Sequence, residues 1–263
     1  MAEPEPDTAA GGTGSIGATS TGAKPRPAYY ATRGGGWRDW WTLLHPPYTA
    51  WHLAYVVIGA CLAPVVNTTR LVATLLAFFL AVGVAAHALD ELHGRPLRTQ
   101  IPVPALVGAA VVGLAGALVF GVAGVVQVGW VLVPFLVLGP VLVVGYNFEV
   151  LGGIIHNDVG FAASWGAFPV LTAYVAQTGT LALAPVVAAL GALLLSLAQR
   201  VLSTPARMLR RRAVDVAGVV TLSDGTKQAI DRPALLAPLE HALRAMAWAV
   251  ILLAAALAVA RLR

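Results

Sequence analysis

Seven apolar runs dominate this chain and leave it few folds to choose from; they fall near 48–66, 70–89, 102–123, 126–146, 160–178, 181–200 and 238–260. An α-helix rises ~1.5 Å per residue, so about 20 residues cross the ~30 Å hydrocarbon core of a bilayer. Each run is close to that length. They are continuous rather than alternating, which argues against a membrane β-barrel. Charged residues make up 11% of the 263, against roughly 25% in ordinary soluble domains. The mean hydropathy is +0.78. The chain is predicted to be all-α, a polytopic transmembrane helical bundle of about seven spans. Pro134 and Pro140 predict a kink or break in the fourth, and Pro169 interrupts the fifth.

Two segments stand outside the runs. Residues 1–36 are rich in Gly, Ala, Thr, Ser and Pro and read as a disordered N-terminal tail. Residues 37–263 form the predicted transmembrane domain. Trp37, Trp40 and Trp41 sit beside charges, as interfacial aromatics do, or pack within the protein. Residues 201–237 are the one long polar loop. Within it Ala213 to Leu222 reads partly as a strand and Ser223-Asp224-Gly225 as a turn, so a small hairpin is expected. Asp231-Arg232-Pro233 then opens an amphipathic helix leading through Glu240 and Arg244 into the last span.

The net charge of +5 is explained by position. Lys24, Arg26, Arg33 and Arg38 precede the first span. Arg95 and Arg98 follow the second, and Arg200, Arg207, Arg210, Arg211 and Arg212 follow the sixth. With seven spans these all fall on one side, which the positive-inside rule makes cytoplasmic. The expectation is a multi-pass integral protein of a bacterial or archaeal cell membrane. Its N-terminus and 201–237 loop are cytoplasmic, and its partner is the lipid bilayer rather than nucleic acid. Cys61 is the single cysteine, so an intrachain disulfide and a cysteine-built zinc or iron–sulfur site are excluded.

Between Asp39 and Asp215 the acidic residues are Asp90, Glu91, Glu149 and Asp158. Ionisable groups at membrane depth are costly, so each is a functional candidate, with a solvated helix end as the plain alternative. If the helix continues to His93, His87, Asp90 and Glu91 share a face, and Arg95 and Arg98 follow at once. That joins carboxylates able to hold a divalent cation to guanidiniums able to meet phosphate. A second cluster runs Tyr146-Asn147-Phe148-Glu149, then His156-Asn157-Asp158. The arginines from Arg200 onward either fix topology or recognise a diphosphate or anionic headgroup. His45 and His52, near the first span, read as packed histidines rather than a metal pair, since Pro46 and Pro47 interrupt helix continuity. The clusters are expected to meet at one polar cavity, with Asp90, Glu91 and Arg95 facing Glu149 and His156.

With these residues in view, the layout resembles the UbiA superfamily of intramembrane prenyltransferases. Trp41-Thr42-Leu43-Leu44-His45-Pro46-Pro47 leads into a Gly-containing first span. The second span ends in an acidic cluster followed by Arg95-Pro96-Leu97. Gly166-Ala167-Phe168-Pro169-Val170-Leu171 and Gln177-Thr178-Gly179 resemble the family's fifth-helix pattern. The family's first motif, Asn-Asp-x-x-Asp-x-x-x-Asp, aligns as Ala86-His87-x-x-Asp90-x-x-x-Gly94, so Asp90 is the matching residue and Glu91 a substitute partner. After the sixth span, where a second acidic motif belongs, stands Gln199-Arg200-Val201-Leu202-Ser203-Thr204-Pro205-Ala206-Arg207. The resemblance implies Mg²⁺-assisted ionisation of an isoprenoid diphosphate, in a prenyl transfer or a terpene-cyclase-type reaction. In that reading Asp90, Glu91 and Asp158 hold metal, and Asp90, Glu91, Glu149 and His156 act in catalysis. Arg95, Arg98, Asn147, Arg200 and Arg207 bind substrate. Two other classes fit the same residues: a non-catalytic UbiA-like scaffold or lipid-binding protein, and a His/carboxylate membrane metalloenzyme.

Overall fold

The computed structural model describes residues 26–32, 34–148 and 156–262. A short helix, α1 (Trp37–Leu43), leads into α2 (Pro46–Cys61). There follow α3 (Thr68–Leu92), α4 (Val103–Val128), α5 (Trp130–Asn147), α6 (Asp158–Thr178), α7 (Leu183–Arg211) and α8 (Arg232–Arg261). The six from α3 to α8 are each long and apolar enough to cross a membrane. The protein is an all-α, multi-pass integral membrane protein. Valines such as Val111, Val112, Val119 and Val126 lie exposed along α4, as a lipid-facing surface requires.

The first predicted span behaves differently. α2 has 16 residues, about 24 Å of helix, which is short of the hydrocarbon core. It is the buried centre of the bundle instead. Trp51, Tyr55, Val56 and Ala60 are almost wholly enclosed, and its main neighbours are α8 and α6. Gly59 permits the α6 contact: a Cβ there would stand 2.2 Å from the Val170 carbonyl oxygen. Among the described residues, six helices are therefore long enough to span, and α2 is packed among them.

Prolines and glycines set the irregularities. The chain turns between α4 and α5 at Gly129, whose φ of 116° suits a residue without a Cβ. Pro134 then falls in the first turn of a helix, where its missing N–H costs nothing, and Pro140 lies inside it. α3 and α6 each contain a π-helical stretch, Phe79–Ala86 and Ala163–Ala167. Pro169 follows the second. It has no N–H to offer the Trp165 carbonyl four residues back, so that oxygen is left for another donor. His52 Nδ1 takes it at 2.8 Å.

The two ends of the bundle differ. At one end lie residues 61–70, the α4–α5 turn, the end of α6 and Arg261. At the other lie α1, residues 87–101, Asn147, residues 156–158 and the ends of α7 and α8 that meet. The 201–237 loop is shorter than expected, because α7 stays helical through Pro205 to Arg211. A two-stranded antiparallel hairpin does form, β1 (Ala217–Thr221) with β2 (Lys227–Asp231), turning at Gly225. Asp231 caps α8 by accepting from Ala234 N at 2.8 Å.

Candidate functional site

At the arginine-rich end the helices enclose a polar cavity of about 360 Å³. Each wall follows from local structure. The π-helical stretch of α3 ends at His87, whose Nδ1 lies 3.1 Å from the Gly83 carbonyl, and Asp90 follows one turn later. α5 contributes Tyr146 and Asn147. α7, amphipathic at its end, brings Arg200, Arg207, Arg210 and Arg211. α8 brings Glu240. Four arginines against the carboxylates of Asp90 and Glu240 leave the lining net positive.

The arginines are not equivalent. Arg210 forms a two-pronged ion pair with Glu240, one contact being 2.7 Å. Arg200 bonds Asp158 at 2.9 Å and lies over the Phe161 ring at 5.0 Å. Arg211 donates to the Pro27 carbonyl at 3.2 Å. Arg207 donates to the Thr204 hydroxyl at 3.2 Å and has no carboxylate partner among the described residues. Arg211 likewise has no carboxylate partner among the described residues, so these two are cations open to an anion. Asp90, across the cavity, lies in the field of Arg211, Arg207 and His156.

Several expected site residues are elsewhere. Glu91 is fully buried and faces away from the cavity. Its carboxylate accepts from Leu97 N at 2.9 Å and from Thr99 N and the Thr99 hydroxyl at 2.8 and 2.9 Å. Arg95 is outside the cavity too, donating to the Thr99 and Ile101 carbonyls at 3.1 and 2.7 Å. Arg98 is exposed on that loop. The helix stops at Leu92, and the following loop folds back over Glu91. Adjacent residues on a helix point ~100° apart, so Asp90 and Glu91 cannot share one target without a bend. The expectation that Glu91 and Arg95 share the cavity with Asp90 is therefore corrected.

Of the residues expected to share a cavity, Asp90 and His156 do line one, and Asn147, Arg200 and Arg207 line it too. Asn147 also donates to the Val143 carbonyl at 2.8 Å. His156 stacks on Tyr146, ring centroids 4.5 Å apart, with its Nδ1 2.8 Å from the Tyr146 carbonyl oxygen. Asp158 pairs with Arg200 rather than turning to a shared metal position. Glu149 lies outside the described residues.

Magnesium takes hard oxygen ligands, typically one or two carboxylates plus substrate phosphates. No group of three or more His, Cys, Asp or Glu among the described residues is placed to hold a metal ion. Glu91 is committed to its loop, Asp158 to Arg200 and Glu240 to Arg210. The described residues do not build a magnesium site of their own.

An aromatic roof was not anticipated. Tyr29 and Tyr30 lie in the segment read as tail, yet both line the cavity, and Ala31 beside them is 1% exposed. The boundary of the folded part therefore lies before residue 36. The signal was available: these are the first aromatic residues of the chain, side by side in a stretch of small ones. Tyr30 Oη lies 2.9 Å from His45 Nδ1, and His45 stacks on His87 with centroids 4.2 Å apart. Burial pushes the His45 imidazole well below its usual range, with His87, Arg211 and Arg207 adding to the effect. Burial likewise pushes Tyr30 up, and Tyr29 up to about 12. The Tyr30–His45 contact thus joins two neutral groups. His45 stands at φ 47°, a left-handed conformation that His tolerates better than most residues.

Next to the polar cavity is an apolar slot of about 160 Å³ between α3, α4, α5 and α6. Ala77, Phe78, Leu114, Gly121, Phe135 and Phe168 are among its walls, and Val82 and Trp165 line both spaces. A polar chamber and an apolar one therefore adjoin through shared wall residues. No protein-family model, curated protein or solved structure matches the chain.

Proposed function

We propose that this protein binds an isoprenoid diphosphate, or another lipid with a phosphate head, across the two adjoining chambers. The adjoining of the chambers carries this reading: an amphiphile needs an anion site continuous with an apolar slot. The head lies against Arg207, with Arg211 and Arg200 beside it, because guanidiniums match phosphate oxygens in geometry and charge. The chain lies in the slot walled by Phe78, Phe135 and Phe168. The arginine-rich end faces the cytoplasm of a bacterial or archaeal cell, by the positive-inside rule.

A UbiA-like prenyl transfer or cyclisation is a second reading, favoured by one observation: Asp90 opens into the cavity opposite the arginines. In that reaction the C1–O bond of an allylic diphosphate breaks and its electron pair leaves with the diphosphate. Arg207 meets the charge that develops on the leaving oxygen. In this reading Asp90 accepts the proton lost as the new carbon–carbon bond forms. Arginines thus supply countercharge that the family draws largely from metal.

Binding of farnesyl diphosphate to protein in detergent, with and without EDTA, tests both readings. Binding that survives EDTA and is lost in Arg207→Ala is expected. No binding to wild type sinks the proposal. Binding that requires Mg²⁺ would return the metal reading and make Glu149 the ligand to examine. Turnover that Asp90→Asn abolishes would establish the second reading. Labelling of a cysteine at position 225 from the outside, in a Cys61→Ser background, would overturn the orientation.

A further inference from the structure

Pro27, Ala28, Tyr29 and Tyr30 of the segment 26–32 line the cavity, and the segment's two kinds of attachment differ. At its far end Thr32 is fixed to the bundle, its N–H 3.2 Å from the Thr42 hydroxyl and its own hydroxyl 3.0 Å from the Arg38 carbonyl. Nearer its start the attachments are to arginines, with Tyr30 joined to His45. Arg211 donates to the Pro27 carbonyl at 3.2 Å and Arg210 to the Arg26 carbonyl at 3.5 Å. Arg244 lies over the Tyr29 ring at 4.8 Å. The segment is also bent on itself, with Ala31 N donating to the Ala28 carbonyl at 3.2 Å.

We propose that residues 26–32 form a strap over the phosphate site, hinged near Thr32, and that a phosphate or diphosphate head releases it by taking Arg211 from the Pro27 carbonyl. The proposal rests on the head site described above. Arg211 holds the strap by a guanidinium–carbonyl bond to a neutral group. Both bonds have the charged guanidinium as donor, but a phosphate oxygen also carries formal charge and adds an ion–ion attraction that the carbonyl lacks. Arg26 is exposed and Pro27 partly so, and water can replace the donors that their carbonyls lose. Arg210 contributes less, because Glu240 already neutralises it. Tyr30, joined to His45, is the contact that re-seats the strap when the head departs.

The test follows the strap directly. Ala31→Cys and, separately, Ala28→Cys are made in the full chain with Cys61→Ser, and the rate of labelling by a charged maleimide is measured. Inorganic diphosphate and farnesyl diphosphate in detergent are the two probes, and binding of each is measured independently by calorimetry. Labelling is expected to rise about tenfold at saturation, the factor corresponding to loss of one charge-assisted hydrogen bond. Arg211→Gln should raise it similarly with no probe present, and Tyr30→Phe to a smaller extent. A rise with inorganic diphosphate means that the head alone suffices. A rise with farnesyl diphosphate only means that the head must come on a lipid; either supports the strap. A probe that binds while labelling stays constant or falls overturns the strap and leaves the head site intact. Failure of both probes to bind removes the head site and the strap with it.

Discussion

The two ends of this bundle use arginine in opposite ways. Away from the cavity, Arg70 donates to the Gln177 carbonyl at 2.8 Å and the Gln127 carbonyl at 3.4 Å, at the ends of α6 and α4. Arg261 donates to the Cys61, Ala63 and Pro64 carbonyls just past α2. These are carbonyls that a helix leaves without intrahelical donors. Each guanidinium there closes helix ends and has little left to offer. At the cavity end Arg207 keeps its charge open to the chamber. The same side chain at the same kind of helix boundary is a structural clasp in one place and a binding group in the other. The difference lies in what faces it: orphan carbonyls, or a cavity.

The largest effect should come from Glu91. Glu91→Ala leaves the Leu97 and Thr99 amides and the Thr99 hydroxyl without an acceptor in a buried loop. A loss of about 3 kcal/mol or more is expected, read as a lower unfolding temperature in detergent. Its neighbour sharpens the comparison: Asp90→Asn should leave the unfolding temperature within the scatter of surface substitutions, about 0.5 kcal/mol. Equal destabilisation by the two changes would show that Asp90 is also structural.

The arginine comparison is tested by a pair of changes. Arg70→Ala should destabilise by about 2 kcal/mol, the cost of two charge-assisted bonds to helix ends, with diphosphate binding unchanged. Arg207→Ala should do the reverse. Its diphosphate affinity should fall roughly 10- to 100-fold, about 1.4–2.8 kcal/mol at tenfold per 1.4 kcal/mol, with the unfolding temperature held. Crossed results would mean that the two ends are not functionally distinct.

The smallest expected effect is a pH dependence at His45. Its folded pKa is depressed, so between that value and about 6.5 the unfolded chain binds a proton that the native one does not. Stability therefore falls as pH drops below about 6.5, by about 1 kcal/mol between pH 7 and 5.5 from this residue alone. The groups that face it are Tyr30, Tyr48, His52, His87, Arg211 and Arg207. His45→Asn keeps a side chain suited to the left-handed backbone and removes the titration. Urea or thermal unfolding across that range should lose part of its slope in the variant. An unchanged slope would assign the pH dependence to other histidines.

The helical bundle, the crowding of arginines at one end, the hairpin and the start of α8 were legible from sequence, whereas six rather than seven helices are long enough to span. Apolar length, local turn chemistry and capping are properties of contiguous residues, and Asp231 or Gly225 acts on neighbours a few positions away. That Asp90 and His156 would share a cavity was legible, because polar groups at one membrane level have few places to go, but that Arg200 and Arg207 would line it was not. Three features were decided by tertiary structure alone. Glu91 turned to its own loop because adjacent helix positions diverge and the chain after Leu92 folded back. Pro169 freed a carbonyl that His52, 113 residues away in sequence, came to occupy. Tyr30 left the apparent tail because burying two aromatic rings over His45 and Tyr48 outweighed the entropy of ordering a short segment. Sequence sets which groups are costly to leave unpaired in a membrane; only the packed bundle decides which partner each one finds.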